Sequence, residues 1–155
     1  MYQIRPYQPG EEPLLRELFY STVHNVNQRD YSVEQREAWA PQRYDANVWA
    51  ARLAQSEPFV ALHNEEIVGF ADVQTDGYID FFFCHQAYQG KGVGRALMKH
   101  LLKTGKRYGV KRFYADVSIT AKPFFQHYGF EVVRQQQKEV RGVVLTNFLM
   151  EKRTL

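Results

Sequence analysis

A single cysteine, Cys84, stands in a chain of 155 residues, which excludes an internal disulfide framework and a cysteine-built metal cluster. The five histidines, His24, His63, His85, His100 and His127, form no H-x-x-x-H pair and have no carboxylate cluster beside them. The sequence therefore supports no metal site. No apolar run approaches the roughly 20 residues that a membrane span needs, and no charged-then-apolar segment opens the chain. No membrane association is expected, and a cytoplasmic location is the default. There is no internal repeat, low-complexity tract or linker, so one domain over residues 1–155 is expected, long enough to bury a sizeable core.

Formal net charge is only +3, yet Lys91, Arg95, Lys99, Lys103, Lys106, Arg107, Lys111 and Arg112 crowd into one short span. Such a run is either a solvated helix face or, beside a ligand loop, an attractor for a phosphorylated small molecule. Aromatic and basic residues do not interleave on an evident groove element, so nucleic acid is not an expected partner.

Along the chain, Gln3 to Arg5 reads as a strand stopped by Pro6. Leu14, Leu15, Leu18, Phe19 and Val23 recur at helical spacing behind acidic residues. Further helices are expected over Val33 to Trp39, ended by Pro41, and over Asp45 to Gln55. The period then changes to that of strands at Phe59 to Leu62, Ile67 to Gln74 and YIDFFFC, the first two joined as a hairpin across His63 to Glu66. Val93, Leu97, Leu101, Thr104 and Tyr108 form one stripe of a half-buried helix that stops at Gly109. VKRFYADV is a strand, and Thr120 is placed to cap a short helix with Pro123 in its first turn. Phe130 to Lys138 and Val143 to Glu151 close the chain as strands turning near Arg141-Gly142. The order predicts an α/β mixed sheet with helices on both faces.

Between YIDFFFC and the amphipathic helix lies QGKGVGR. The dinucleotide fingerprint G-x-G-x-x-G fails, because Gly90-x-Gly92 is followed by Arg95 and Gly92-x-Gly94 by Leu97. A P-loop fails too, lacking its glycine-lysine pair and the following Ser or Thr. What remains is Q-x-x-G-x-G, from Gln89, Gly92 and Gly94, between strand and helix. Glycines turn backbone amides inward, and a helix start favours a pyrophosphate.

CHQAYQGKGVGRALMKHLLK resembles motif A of the GNAT superfamily of N-acetyltransferases. EEIVGFADV is similar to the family's third strand, and AKPFFQHYGFEVV to its last helix and following strand. DYSVEQREAWAP, SITAKPFF and VRGVVLTNF resemble the YafP-like subgroup. The resemblance covers nearly the whole chain and implies a central, mostly antiparallel sheet with strands four and five splayed apart.

The same resemblance implies acetyl-CoA as donor of an acetyl group to a primary amine of a small molecule or peptide. Its pyrophosphate would lie on the amides of Gln89, Gly90, Lys91, Gly92, Val93, Gly94 and Arg95, and its pantetheine arm against Phe82, Phe83 and Cys84. The Phe82 N–H would face the thioester carbonyl and stabilise the developing oxyanion. A protonated amine needs a base, and Asp80, two residues before Phe82 and so expected on its face, reads either as that base, directly or through water, or as a salt-bridged strand residue. The family's acid tyrosine falls at Phe125 here, which departs from the pattern. Tyr128, three residues on, is the substitute acid or a packed aromatic. Ser118 and Lys122 are expected near the CoA arm or adenine. His24, Tyr31, Gln35, Trp39 and Tyr78 are the acceptor-pocket candidates. A homodimer through the last hairpin is a further implication. The alternative function is a GNAT-fold sensor or interaction module that binds acetyl-CoA with little or no transfer.

Overall fold

The computed structural model describes residues 1–154. β1 (Gln3–Pro6) leads through a turn into α1 (Glu12–Val26), whose Leu15, Leu18, Phe19, Thr22 and Val23 are buried at three- and four-residue spacing. α2 (Val33–Trp39) starts at a capping box, in which the Ser32 hydroxyl accepts from the Gln35 amide and Gln35 Oε1 accepts from the Ser32 amide. The Asp45 carboxylate caps α3 (Ala46–Ser56) by accepting from the Asn47 and Val48 amides. β2 (Phe59–His63) and β3 (Glu66–Ala71) form the expected hairpin. Asn64 and Glu65 turn it with φ of 50° and 68°, the handedness that suits a two-residue connection.

β4 (Phe82–Cys84) precedes α4 (Val93–Tyr108), β5 (Arg112–Ser118), α5 (Lys122–His127), β6 (Glu131–Val140) and β7 (Val143–Arg153). The two helices α4 and α5 each differ from expectation in one detail. Tyr108 leaves the buried stripe of α4 and is 49% exposed, while Met98 and Gly105 join it. Thr120 does not cap α5; its hydroxyl donates to Asp30 Oδ2, 2.8 Å away, and Ser118 Oγ accepts from the Ala121 amide instead.

Two antiparallel sheets result, one ordered β1-β2-β3-β4 and the other β5-β7-β6. Alternation along the strands sorts side chains to two cores. Val60, Leu62, Phe70 and Phe81 pack with Leu15, Phe19, Trp49 and Leu53 of α1 and α3. Ala61, Val68 and Ile79 pack with Val93, Leu97, Met98 and Leu101 of α4. The sheets meet at a parallel bridge between Tyr78 and Tyr114. There the Ile79 amide donates to Tyr114 O and the Tyr114 amide to Gly77 O. Beyond that bridge β4 and β5 part, giving the splayed pair that the resemblance implies.

β3 and β4 are shorter than the sequence predicts, and Asp72 is the reason. Its carboxylate is fully buried. Oδ1 accepts from the amides of both Asp80 (2.7 Å) and Phe81 (2.8 Å), while Oδ2 accepts from Ser56 Oγ (2.6 Å) and Gln74 Nε2 (2.9 Å). Two successive amides turned to one oxygen break the two-residue alternation, which is a bulge. Burial raises the Asp72 pKa, and the hydrogen bonds from Ser56, Phe81 and Asp80 oppose that shift. Asp72→Ala strands four donors and is expected to cost about 3 kcal/mol or more. Thermal unfolding should show a Tm lower by roughly 6–12 °C; an unchanged Tm would refute the account of the bulge.

Candidate active site

The gap between β4 and β5 is built by backbone. β4 pairs with β3 in the register Gly69–Cys84, Phe70–Phe83 and Ala71–Phe82. The Asp72 amide donates to Phe81 O and the His85 amide to Val68 O, so the odd-numbered residues of this stretch turn their amides and carbonyls to β3. By alternation, Phe82 and Cys84 turn theirs into the gap. Cys84 O is already held by Thr22 Oγ1 at 2.9 Å and Gln89 Nε2 at 3.0 Å. The Phe82 N–H is left facing open space. Opposite it, Asp116 and Ser118 present their own backbone groups, by the same alternation from Tyr114.

The bulge alters what the side chains do. Phe82 packs edge-on to Phe125, with ring centroids 5.6 Å apart, on the α5 side. Phe81 and Phe83 pack on the opposite side with Trp49 and Phe19. Asp80 goes with Phe81, because Arg52 lies over the Phe81 ring at 4.2 Å and reaches the Asp80 carboxylate at 3.3 and 3.4 Å. The expectation that Asp80 and Phe82 share a face by simple alternation is therefore corrected. Asp80 is thus salt-bridged, the second of the two readings the sequence left open, and it still borders the gap from its other side.

A cleft of about 400 Å³ fills the gap and runs to the start of α4. Of the residues that the resemblance assigns to the donor, Phe82, Phe83, Cys84, Gln89, Gly90, Gly92, Val93, Gly94, Arg95, Ser118 and Phe125 line it. Gly92 sits at φ 88° as the N-cap of α4, a left-handed turn, and Val93, Gly94 and Arg95 after it line the cleft. Among the described residues the amides of Val93, Gly94 and Arg95 have no protein acceptor, as befits a helix start. Gly94 is needed for space, since a Cβ there would lie 2.9 Å from Phe124 Cε1. Lys91 departs from expectation. Its amide donates to Tyr88 O at 3.3 Å and its Nζ lies 5.6 Å from the Tyr88 ring, outside the cleft lining. Lys122 is also outside, with its Nζ 4.5 Å from the Phe148 ring.

A second cavity of about 280 Å³ shares Trp39, Asp80, Phe83, Asp116 and Ser118 with the first. Of the acceptor candidates, Trp39 and Tyr31 line it. The Tyr31 hydroxyl is committed to structure, donating to Thr146 O (2.6 Å) and accepting from the Ile119 amide (2.9 Å); burial raises its pKa. His24 and Gln35 lie outside both cavities. His24 Nε2 sits 2.8 Å from Ala40 O, and Gln35 is spent on the capping box and on Val144 O. Tyr78 is outside as well, 3.4 Å from Asp116 Oδ2, with burial and then Asp116 pushing its pKa up strongly. Sequence reasoning missed Asp116, Arg52, Arg16, Lys138, Arg141 and Asn147. Only Asp116 carried a local signal, as the charged residue near the end of a strand expected to splay.

Phe125 is buried and offers no proton. Tyr128 lies outside both linings and packs on Phe124 with centroids 5.0 Å apart, so it is not brought to the gap. Cys84 is no nucleophile here: burial pushes its thiol up to about 12, and the neighbouring His85 Nδ1 accepts from the Ala87 amide. At pH 8 its reaction with a disulfide reagent is expected to be roughly 1,000-fold slower than that of free cysteine, in step with the thiolate fraction. A rate like that of free cysteine would contradict the desolvation of this half-buried thiol.

Two sheets joined at one end and splayed at the other, with a glycine-capped helix start at the opening, define an acetyltransferase of the GCN5-related class. The chain belongs to the GNAT acetyltransferase family, whose domain model matches residues 27–152. It is 42% identical to the uncharacterized N-acetyltransferase YafP of Escherichia coli K12 over 148 residues, covering 96% of this chain and 93% of that protein. A solved GCN5-related N-acetyltransferase from Rhodopseudomonas palustris superposes with a TM-score of 0.94 at 30% identity, covering 98% of this chain and 95% of the other. PaiA N-acetyltransferase from Thermoplasma acidophilum, solved with coenzyme A, shares the fold at a TM-score of 0.79 and 18% identity, with 99% of each chain covered. Among the described residues no helix is long and apolar enough to cross a membrane, and no group of His, Cys, Asp or Glu could hold a metal ion.

Proposed function

We propose that the chain transfers an acetyl group from acetyl-CoA to a primary amine by direct attack in a ternary complex. The observation that carries this reading is one continuous cleft with free helix-start amides at one end and the unpaired Phe82 N–H along its wall. The coenzyme A bound to the PaiA relative is consistent with it.

In this reading the amides of Val93, Gly94 and Arg95 hold the pyrophosphate with the help of the helix dipole. The arm adds to the open edge of β4, and the Phe82 N–H donates to the thioester oxygen as it becomes an oxyanion. Asp80, fixed by Arg52 at the junction of the two cavities, takes the ammonium proton, directly or through water, and so frees the lone pair. Nitrogen bonds to the carbonyl carbon, the C–S bond breaks and coenzyme A leaves as thiolate, which takes up the second proton that the nitrogen sheds as the amide forms. A thiol pKa of about 8.5 makes that departure inexpensive without an acid, so neither Phe125 nor Tyr128 needs to supply a proton.

Acetyl-CoA incubated with a panel of amines, peptides and aminoglycosides should release free thiol in an amine-dependent way. Tyr128→Phe should release it at a rate within about 3-fold of the parent, a barrier change of about 0.65 kcal/mol, since its hydroxyl lies outside both cavities. Phe125 favours one rival, a donor-binding sensor. Tight acetyl-CoA binding with no thiol released by any amine would establish that rival instead.

A further inference from the structure

The second cavity contains far more positive charge than an amine pocket should tolerate. Four cations, Arg16, Arg52, Lys138 and Arg141, border it with two carboxylates, Asp80 and Asp116. Their arrangement is polar. Both carboxylates also line the donor cleft and so sit at the junction, whereas all four cations line the second cavity alone. Arg52 is paired with Asp80. Among the described residues Arg16, Lys138 and Arg141 have no carboxylate partner.

Arg16 is the least ordinary of them. It is only 7% exposed, yet among the described residues its guanidinium donates one hydrogen bond, to the carbonyl of Pro41. Its guanidinium is held over the Tyr44 ring at 4.2 Å and beside Phe19 and Trp49 at 5.2 and 5.3 Å. Burial lowers its pKa, Arg141 and Arg52 press in the same direction, and Tyr44 opposes them. Arg141 comes from the tip of the β6–β7 hairpin, at φ 48°, and spends Nη1 on Ala38 O. A buried guanidinium without a counterion is costly to a fold. Lys138 and Arg141 border the same cavity from the exposed last hairpin; their charges, though screened in part by water, add repulsion that a bound anion would relieve. The phosphates of the donor do not account for them, because the helix start that suits those lies on the other cavity.

We propose that the natural acceptor is a small amine that also carries a carboxylate, an amino acid or a compound of that kind. This rests on the transfer reading above. Its ammonium group lies toward Asp80 and Asp116 at the junction, where transfer occurs, and its carboxylate toward Arg16, Lys138 and Arg141. Guanidinium forks match a carboxylate in two parallel hydrogen bonds. Trp39, Phe19 and Tyr31 provide walls for an apolar or aromatic body, and about 280 Å³ limits that body to a small molecule. A simple alkylamine would bring one more positive charge to a cavity that already has an excess.

The test compares L-phenylalanine and β-alanine with their amides, and β-alanine with aminoethylphosphonate, in thiol release from acetyl-CoA by the full chain. At least one acid should exceed its amide in kcat/KM by about 10-fold or more, the worth of one charge-assisted hydrogen bond. Lys138→Gln and Arg141→Gln should raise KM for that acid by about 10-fold with kcat little changed, and leave its amide unaffected. Amides that match or exceed both acids would overturn the proposal, as would preference for the phosphonate. If nothing in the panel is turned over, calorimetry on the acetyl-CoA-loaded protein decides. Binding of an acid but not its amide sustains the carboxylate site while removing the transfer reading. Failure of both acids to bind overturns the carboxylate site.

Discussion

Asp80→Asn should lower kcat/KM by about 100-fold or more at neutral pH, the usual scale for loss of a positioned base. The substitution is nearly isosteric. Arg52 can still donate to the amide oxygen, and the bulge is held through the backbone amides of residues 80 and 81, which the side chain does not alter. What disappears is the capacity to take a proton. A lysine-like amine has a pKa of about 10.4, so at neutral pH almost none of it is free to attack. The defect should therefore shrink as pH rises, because each unit supplies about tenfold more free amine without help from the protein. Acetyl-CoA affinity should stay unchanged. Asp116→Asn, at the other junction carboxylate, which is engaged by Gln136 Nε2 at 2.8 Å and the Tyr78 hydroxyl, should instead raise KM with kcat little changed. A full-rate Asp80→Asn enzyme at neutral pH would remove Asp80 as the base.

Gly92→Asp should weaken acetyl-CoA binding by about 100-fold or more, and Gly92→Asn by much less. Position 92 has φ of 88°, a region that Asn and Asp visit more readily than other side chains. A Cβ there would meet nothing nearer than Tyr2 Cε2 at 3.8 Å, an ordinary contact. The two variants thus carry similar strain and similar bulk, and differ chiefly in one negative charge. Placed beside a pyrophosphate, that charge costs on the order of 3 kcal/mol at the effective dielectric of a protein surface. Calorimetry on both variants reads the difference. Equal losses would mean that the loop acts through shape alone, and no loss in either would mean that the phosphates lie elsewhere.

Much of this architecture was legible because its signals are local. Pro41 ends the helix over Val33 to Trp39, Arg141-Gly142 turns a hairpin, and Gly92 precedes a run of helical period. The glycine loop and the strand before it could be read together for the same reason. The bulge at Asp80 and Phe81 was not legible, because it depends on a carboxylate eight residues away folded back under the strand. Alternation alone put Asp80 on the wrong face. His24 and Gln35 looked like acceptor contacts but satisfy backbone carbonyls of their neighbours. The cationic end of the second cavity was hidden most thoroughly. Arg16, Arg52 and Arg141 come from α1, α3 and the last hairpin, and no spacing rule relates them.

The central claim is that the donor lies along β4 with its phosphates on the start of α4. Titrating acetyl-CoA into isotope-labelled protein, with the amide resonances followed one by one, tests it most directly. The account predicts saturable shifts at Val93, Gly94 and Arg95 and at Phe82, all with one micromolar binding constant, and a downfield Phe82 proton as its N–H gains an acceptor. Shifts at the helix start with Phe82 unmoved, or no saturable shift at either place, would contradict it.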